Sequence, residues 1–386
     1  MRSPAFITIV GLLLAGCSTV PPRYQAPFLN MEQNKNTYSK EADLADDGYR
    51  DLTGVLHVHT RYSDGAGTFA YIGRVANEQN LDYLITTDHN TLKPLRDGKQ
   101  GWYGKTLILV GTEISTADGH YVALNIKEEI DRERRSPQDI IDEVNKQGGL
   151  GFIAHPYVKK RWTDWSVTGY TGIEIYNAAH DAVDENRTRM VVWTLAVAQD
   201  PFYYSMLDRP YDPLGIFDAM IKKHGRLVGI GSTDAHEHRV MGIRFAPYGI
   251  LFRMVRTHLL VPDAPITPEV VYAAIRAGHA YVSFELVTKA RGFTWSVKDK
   301  DQVIGIMGDA VNFREGLTLE AALPEIGYMT LFKDGEPIED QVGKQGSFSV
   351  QGPGAYRLEV SRQAKPWILS NPIYIQAAQT QPAALP

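Results

Sequence analysis

The stretch LHVHTRYSDG, Leu56 to Gly65, sets two histidines two residues apart and places an aspartate five residues after the second. In a strand, residues i and i+2 face the same side, so His57 and His59 can present two imidazoles to one ion. Neutral imidazole is the commonest biological metal ligand. An HxH pair taken alone also suits satisfied core or surface histidines, so its meaning rests on what the rest of the chain carries.

The same rhythm recurs along the sequence. Short apolar runs end abruptly in ligand-type residues: GVLHVHT, LDYLITTDH, LILVGTE, GLGFIAHP, GIEIYN and LVGIGSTDAH. Runs of this length bounded by Gly and Pro read as buried parallel strands. Helical patterns lie between several of them, such as TFAYIGRVANEQN and SPQDIIDEVNKQGG. In the second, Ser136 is the expected N-cap, Pro137 the first helical position and Gly148-Gly149 the stop. ITPEVVYAAIRAGHAYVS has the same layout, starting at Thr267 and ending at Gly278. Alternating β and α units favour a closed parallel barrel with its active site at the C-terminal ends of the strands. Those ends carry Asp88-His89, Glu113, His155, Glu174, Asn177, Asp234 and His236, while His120 opens YVALNI. Six of the eleven histidines thus fall on one rim, which implies a polynuclear metal centre. Its donors are nitrogen and oxygen, suited to Zn, Mn or Fe.

A chain of 386 residues with 44% hydrophobic and 22% charged content can bury a sizeable core, and a net charge of -5 gives no global attraction to nucleic acid. Arg2, the apolar run Ala5 to Ala15 and the small residues after it have the layout of a secretory signal over 1–16. Leu14-Ala15-Gly16-Cys17 resembles a lipobox, with Cys17 the lipidated residue. Ser18 after it favours the outer membrane, facing the periplasm. Cys17 is the single cysteine, so thiolate metal ligands and intrachain disulfides are excluded. Residues 17–50 read as a polar tether, 51–285 as the barrel, and 286–386 as a small β-sandwich-like domain in which Asp334-Gly335 signals a hairpin.

LHVHTRYSDG, ITTDH, GTE, GHYVALNI, IAHP and STDAH, in this order, resemble the motif series of the PHP family, named for polymerase and histidinol phosphatase. The resemblance implies a distorted (β/α)7 barrel that hydrolyses phosphate esters at a trinuclear site. It places His57, His59, Glu113 and Asp234 around one metal, with Glu113 bridging to a second held by His120 and His155. Asp64, returned by the turn at Ser63 and Gly65, joins His89 and His236 around the third. The expected mechanism is attack by a water that the ions convert to hydroxide. Asp88 is expected to orient a ligand, and Glu174 and Asn177 to bind substrate or hydrogen-bond a ligand. His180, Arg187, Arg189 and Arg239 are candidates to neutralise a phosphate.

A GxSxG elbow and a Walker loop are both absent from the sequence, which leaves no competing covalent or nucleotide-binding scheme. Two other readings remain at this level. HxH on a first strand also opens the amidohydrolase pattern, which would make the substrate an amide, carbamate or carboxylate ester. A non-catalytic envelope lipoprotein, with a glycan or protein partner, would use the metals as braces. The expected substrate is a small molecule, most simply a phosphate ester.

Overall fold

The structure, a computed structural model, describes residues 48–157, 162–179, 199–240 and 243–377. The expected leader, Cys17, most of the tether, His180, Arg187 and Arg189 lie outside them. Among the described residues no helix is long and apolar enough to cross a membrane.

The first part of the chain runs β1 (Tyr49–Val58), α1 (Phe69–Glu78), β2 (Tyr83–Thr86), α2 (Lys93–Arg96), β3 (Gly101–Tyr103), β4 (Thr106–Val110), β5 (Thr112–Thr116), β6 (Gly119–Leu124), α3 (Pro137–Lys146), β7 (Leu150–Ile153) and β8 (Gly172–Asn177). It continues through α4 (Gln199–Met206), α5 (Tyr211–His224), β9 (Val228–Ser232), β10 (His238–Val240), β11 (Ile243–Phe245), α6 (Tyr248–Met254), β12 (Arg256–Pro262), α7 (Pro268–Ala277) and β13 (Ala280–Ser283). Local chemistry sets several helix ends as expected. Ser136 and Asp139 close a capping box at the start of α3, Thr267 caps α7, and Gly278 ends α7 in the left-handed conformation.

The strands are mixed α/β as expected, but they do not form one closed parallel ring. β1, β2 and β4 pair in parallel in a 14-stranded sheet, whereas β5 to β9 form a separate 5-stranded sheet. The physical reason lies around Gly111. One residue separates β4 from β5, and a tight turn joins β5 to β6, so neither connection has room for the crossover helix that parallel pairing needs. β5 and β6 are therefore antiparallel; β6 and β7 are antiparallel as well, with α3 in the connection between them, and β7, β8 and β9 return to parallel pairing. At the rim the two sheets are stitched by backbone hydrogen bonds. Thr233 N donates to Leu56 O (3.1 Å) and His59 N to Ala235 O (3.0 Å), while Asn90 N donates to Glu113 O (2.9 Å). These bonds draw the ends of β1, β2, β5 and β9 to one place.

The remaining strands are β14 (Thr294–Asp299), β15 (Gln302–Ile306), β16 (Ala310–Asn312), β17 (Leu317–Lys333), β18 (Glu336–Ser349), β19 (Gly354–Arg362), β20 (Lys365–Ser370) and β21 (Ile373–Gln376). They join the large sheet where β20 pairs with β13. The runs LTLEAAL and YMTLFK are one long strand, β17, with a register shift between Ala322 and Gly327, and it pairs along its length with β18. Asp334 and Gly335 turn this hairpin with both φ angles positive, the geometry of the favoured two-residue turn. Trp295, Phe348, Tyr356 and Trp367 fill a core of their own, distinct from the one under the metal-type residues.

Candidate metal centre

All nine expected ligands converge where the two sheets meet. His57 lies at the end of β1 and His59 just beyond it; Glu113 is on β5, His120 on β6, His155 after β7, and Asp234 and His236 after β9. Three groups of side chains offer ligand atoms close enough to share an ion: His57, His59, Glu113 and Asp234; His59, Asp64, His89 and His236; and His89, Glu113 and His120. His155 joins through Glu113, whose Oε1 is 2.9 Å from its Nε2 and 2.6 Å from His120 Nδ1.

Glu113 Oε2 stands at the middle. It lies 3.1 Å from His57 Nε2, 3.2 Å from His59 Nε2 and 3.1 Å from His89 Nδ1, and His59 Nε2 is also 3.2 Å from Asp234 Oδ1. Glu113 Oε2, His57 Nε2, His59 Nε2 and His89 Nδ1 are buried, yet none has a hydrogen-bond partner. Buried polar atoms are ordinarily satisfied, so four such atoms facing one another require a reason. Around a zinc-type ion with bonds of about 2.1 Å, tetrahedral donors stand roughly 3.4 Å apart. The spacing here fits donors arranged around cations better than donors bonded to each other.

Other contacts fix which nitrogen faces inward. His57 Nδ1 lies 2.6 Å from Glu174 Oε1, so it carries the proton and leaves the Nε2 lone pair for the centre. Glu174 is held in turn by His155 N (2.8 Å) and Asn177 Nδ2 (3.1 Å). His236 Nδ1 donates to the Asp234 carbonyl (2.7 Å), which turns its Nε2 toward Asp64 Oδ1 (3.3 Å). The His236 ring stacks on His59 at 4.0 Å between centroids.

Glu174 and Asn177, for which the sequence allowed a substrate role, thus make contacts that orient ligands. Asp88 acts on the loop more than on its neighbour His89: it accepts from Thr60 N (2.8 Å), Thr60 Oγ1 (2.8 Å) and Ser63 Oγ (2.7 Å), fixing the turn that presents Asp64. At Gly65 a Cβ would lie 2.3 Å from the His59 carbonyl, so this turn needs glycine. Arg239 lies in β10, with its side chain outside the described residues. Sequence reasoning missed Thr60, and read Ser63 only as part of the turn and not as a partner of Asp88.

The electrostatics call for positive charge. Burial alone would depress His57, but the carboxylates of Glu174, Glu113 and Asp234 outweigh it and hold its pKa well above the ordinary value. His59 is raised in the same way against its burial, by Asp234, Asp64 and Glu113. Burial would lift Glu113, yet His57, His120 and His155 keep it well below the carboxylate range. Asp64, half-exposed at the mouth, is held low by His236 and His59 despite its partial burial. Backbone strain marks the same place: His57, His155 and Asp234 have φ of 62°, 28° and 48°. Such conformations cost roughly 1–3 kcal/mol each and persist where a site over-determines them.

No family profile matches the chain. Among solved structures, a two-domain protein from Bacteroides vulgatus containing a predicted PHP-like metal-dependent phosphoesterase aligns with 89% of this chain and all of its own, at 15% identity and a TM-score of 0.42. An amidohydrolase from Chromobacterium violaceum aligns with 47% of this chain and 87% of its own, at 15% identity and a TM-score of 0.31. The uncharacterized protein MJ1587 of Methanocaldococcus jannaschii is 30% identical over 145 residues, spanning 32% of this chain and 81% of that protein. By that identity the chain belongs to the family of the archaeal protein, and the residues gathered on its rim are those of the motif series that resembles the PHP family.

Proposed function

We propose that the chain is a metal-dependent hydrolase with a trinuclear divalent centre, and that it cleaves phosphate esters. One observation carries the reading: three imidazole nitrogens stand 3.1 to 3.2 Å from Glu113 Oε2, and all four atoms are buried without hydrogen-bond partners. His57, His59, Glu113 and Asp234 would hold one ion; His120 and His155 with Glu113 a second; Asp64, His89 and His236 a third. When bound, divalent ions supply Lewis acidity toward a phosphoryl oxygen and make a water acidic enough to attack near neutral pH.

The chain's own residues do the rest. Glu174 keeps the proton on His57 Nδ1, so Nε2 stays available, and the Asp234 carbonyl does the same for His236. Burial of His57, His59 and Glu113 excludes bulk water from the deep half, which strengthens electrostatic interactions there. Asp64 and His89 remain partly exposed, so the substrate enters over them. Anchoring by lipid at Cys17 and a periplasm-facing outer-membrane address complete the proposal, with the strands after residue 286 as a separate domain.

The test is metal analysis of the purified protein beside hydrolysis of a generic phosphate ester and a generic carboxylate ester. Two or more ions per chain with phosphate-ester turnover is the expected result. Turnover of the carboxylate ester alone moves the substrate class, and bound ions without either turnover favour a binding protein. His57→Ala should lose both metal and hydrolysis while leaving secretion intact, and Cys17→Ala should release the protein from membranes with its rate unchanged.

A further inference from the structure

The rim half of the centre lies outside the named strands: Asp64 is in the loop 59–67, and His236 between β9 and β10, next to Ala235, which makes an isolated bridge to Val58. Asp88 pins the first part of that loop through Thr60 and Ser63. The second part is tied by a side chain that the hydrolase reading does not use. Tyr248, fully buried at the start of α6, places its hydroxyl 2.8 Å from His59 O and 3.2 Å from His236 O, and accepts a hydrogen bond from Gly67 N at 3.0 Å. Ala66 N also donates to His236 O, at 2.8 Å. One oxygen therefore joins the backbone before Asp64, the backbone after it, and the backbone of His236. Its seat is tight, since a Cβ on Gly67 would lie 2.9 Å from the Tyr248 ring.

We infer that Tyr248 is a positioning residue whose hydroxyl sets the separation between the Asp64 loop and His236, and so the affinity of the rim for its cation. This rests on the metal-hydrolase reading. Of the deep ligands, Glu113 is held within β5 and His57 is oriented by Glu174, while His59, whose carbonyl the hydroxyl touches, is also tied by its own N–H to Ala235 O at 3.0 Å. The hydroxyl should therefore control one ion and leave the others alone. Outer partners of ligands typically affect metal affinity by about 10–100-fold.

The experiment loads the full chain with Zn2+, dialyses it against graded chelator and counts zinc per chain, for wild type, Tyr248→Phe and Tyr83→Phe. Tyr83 is the control, a buried tyrosine whose hydroxyl donates to Thr257 O at 2.7 Å. Tyr248→Phe should release one ion per chain at roughly tenfold lower chelator strength, with the remaining zinc and the melting temperature close to those of Tyr83→Phe. Release curves identical to wild type overturn the inference, as does loss of all ions together or failure of Tyr248→Phe to fold, either of which assigns the hydroxyl to the fold at large. A wild type that retains no zinc overturns the metal reading itself, and this inference with it.

Discussion

At the start of β1, Asp51 is buried against His258, Tyr281 and the Gly292 amide; at the far end of the same strand, His57 and His59 are buried against Glu113 and Asp234. Both clusters bury charge, and they satisfy it differently. At the lower end Asp51 receives His258 Nδ1 at 2.7 Å, Tyr281 Oη at 2.6 Å and Gly292 N at 2.8 Å. Arg291 pairs with Asp82, and Arg256 stands 3.6 Å from Glu285. Two arginines, whose charge is permanent, and the single imidazole of His258 balance the acids there. At the upper end the acids meet imidazoles, whose charge is optional, and several donors face one another without bonding. Apart from His258 Nε2, which has no hydrogen-bond partner and stands 3.5 Å from Glu285 Oε1, the lower cluster is satisfied by groups of the chain itself. The upper one is completed by something added.

Four changes separate these roles, in falling order of effect. Glu113→Gln removes the shared carboxylate charge and should cost metal retention outright, with hydrolysis falling by more than the about 100-fold that loss of an outer partner alone can cause; metal counting and initial rates check it. Asp51→Asn leaves a buried histidine short of its counter-charge and should lower stability by about 3–5 kcal/mol with metal content unchanged. Denaturant unfolding reads the first, and loss of metal in that variant would erase the contrast between the two ends.

Glu174→Gln keeps every direct donor but weakens the hold on His57 Nδ1. Metal affinity should fall about 10–100-fold, or roughly 1.4–2.8 kcal/mol, measured by chelator competition.

The smallest effect is in pH. Burial would lower His258, but Asp51 and Glu285 raise it, so its stabilising contribution is complete below the ordinary histidine pKa and is lost as pH rises through the higher folded value. Glu285, which burial would raise, is brought down to about 2 by His258 and Arg256, so its contribution is present above the ordinary carboxylate pKa and disappears as pH falls toward 2. The gap in urea midpoint between wild type and His258→Gln should therefore be widest near pH 6 and narrow toward pH 9. A gap constant over that range contradicts the assignment.

The ends of α3 and α7 were legible because Ser136, Thr267 and Gly278 act on their nearest neighbours, and Asp334-Gly335 was legible for the same reason. The site residues were legible as a set, since most close an apolar run, with His120 opening one and Asp64 in the turn after the first. Sheet closure was not: the decisive feature is the length of two connections around Gly111, and the apolar runs look alike whether their neighbours are parallel or antiparallel. The merging of two runs into β17 was hidden by the shift at Ala322 to Gly327, where polar and apolar alternation loses its phase. Tyr248 gave no local signal, because its meaning lies in contacts to a residue more than a hundred positions away.

The contrast between the two ends of β1 is tested most directly by anomalous diffraction from crystals of the zinc-loaded protein. Density should appear about 2.1 Å from His57 Nε2, His59 Nε2 and Glu113 Oε2, with further peaks beside His120 and Asp64 and none beside His258. An upper cluster without density, or a peak at His258, would contradict the account.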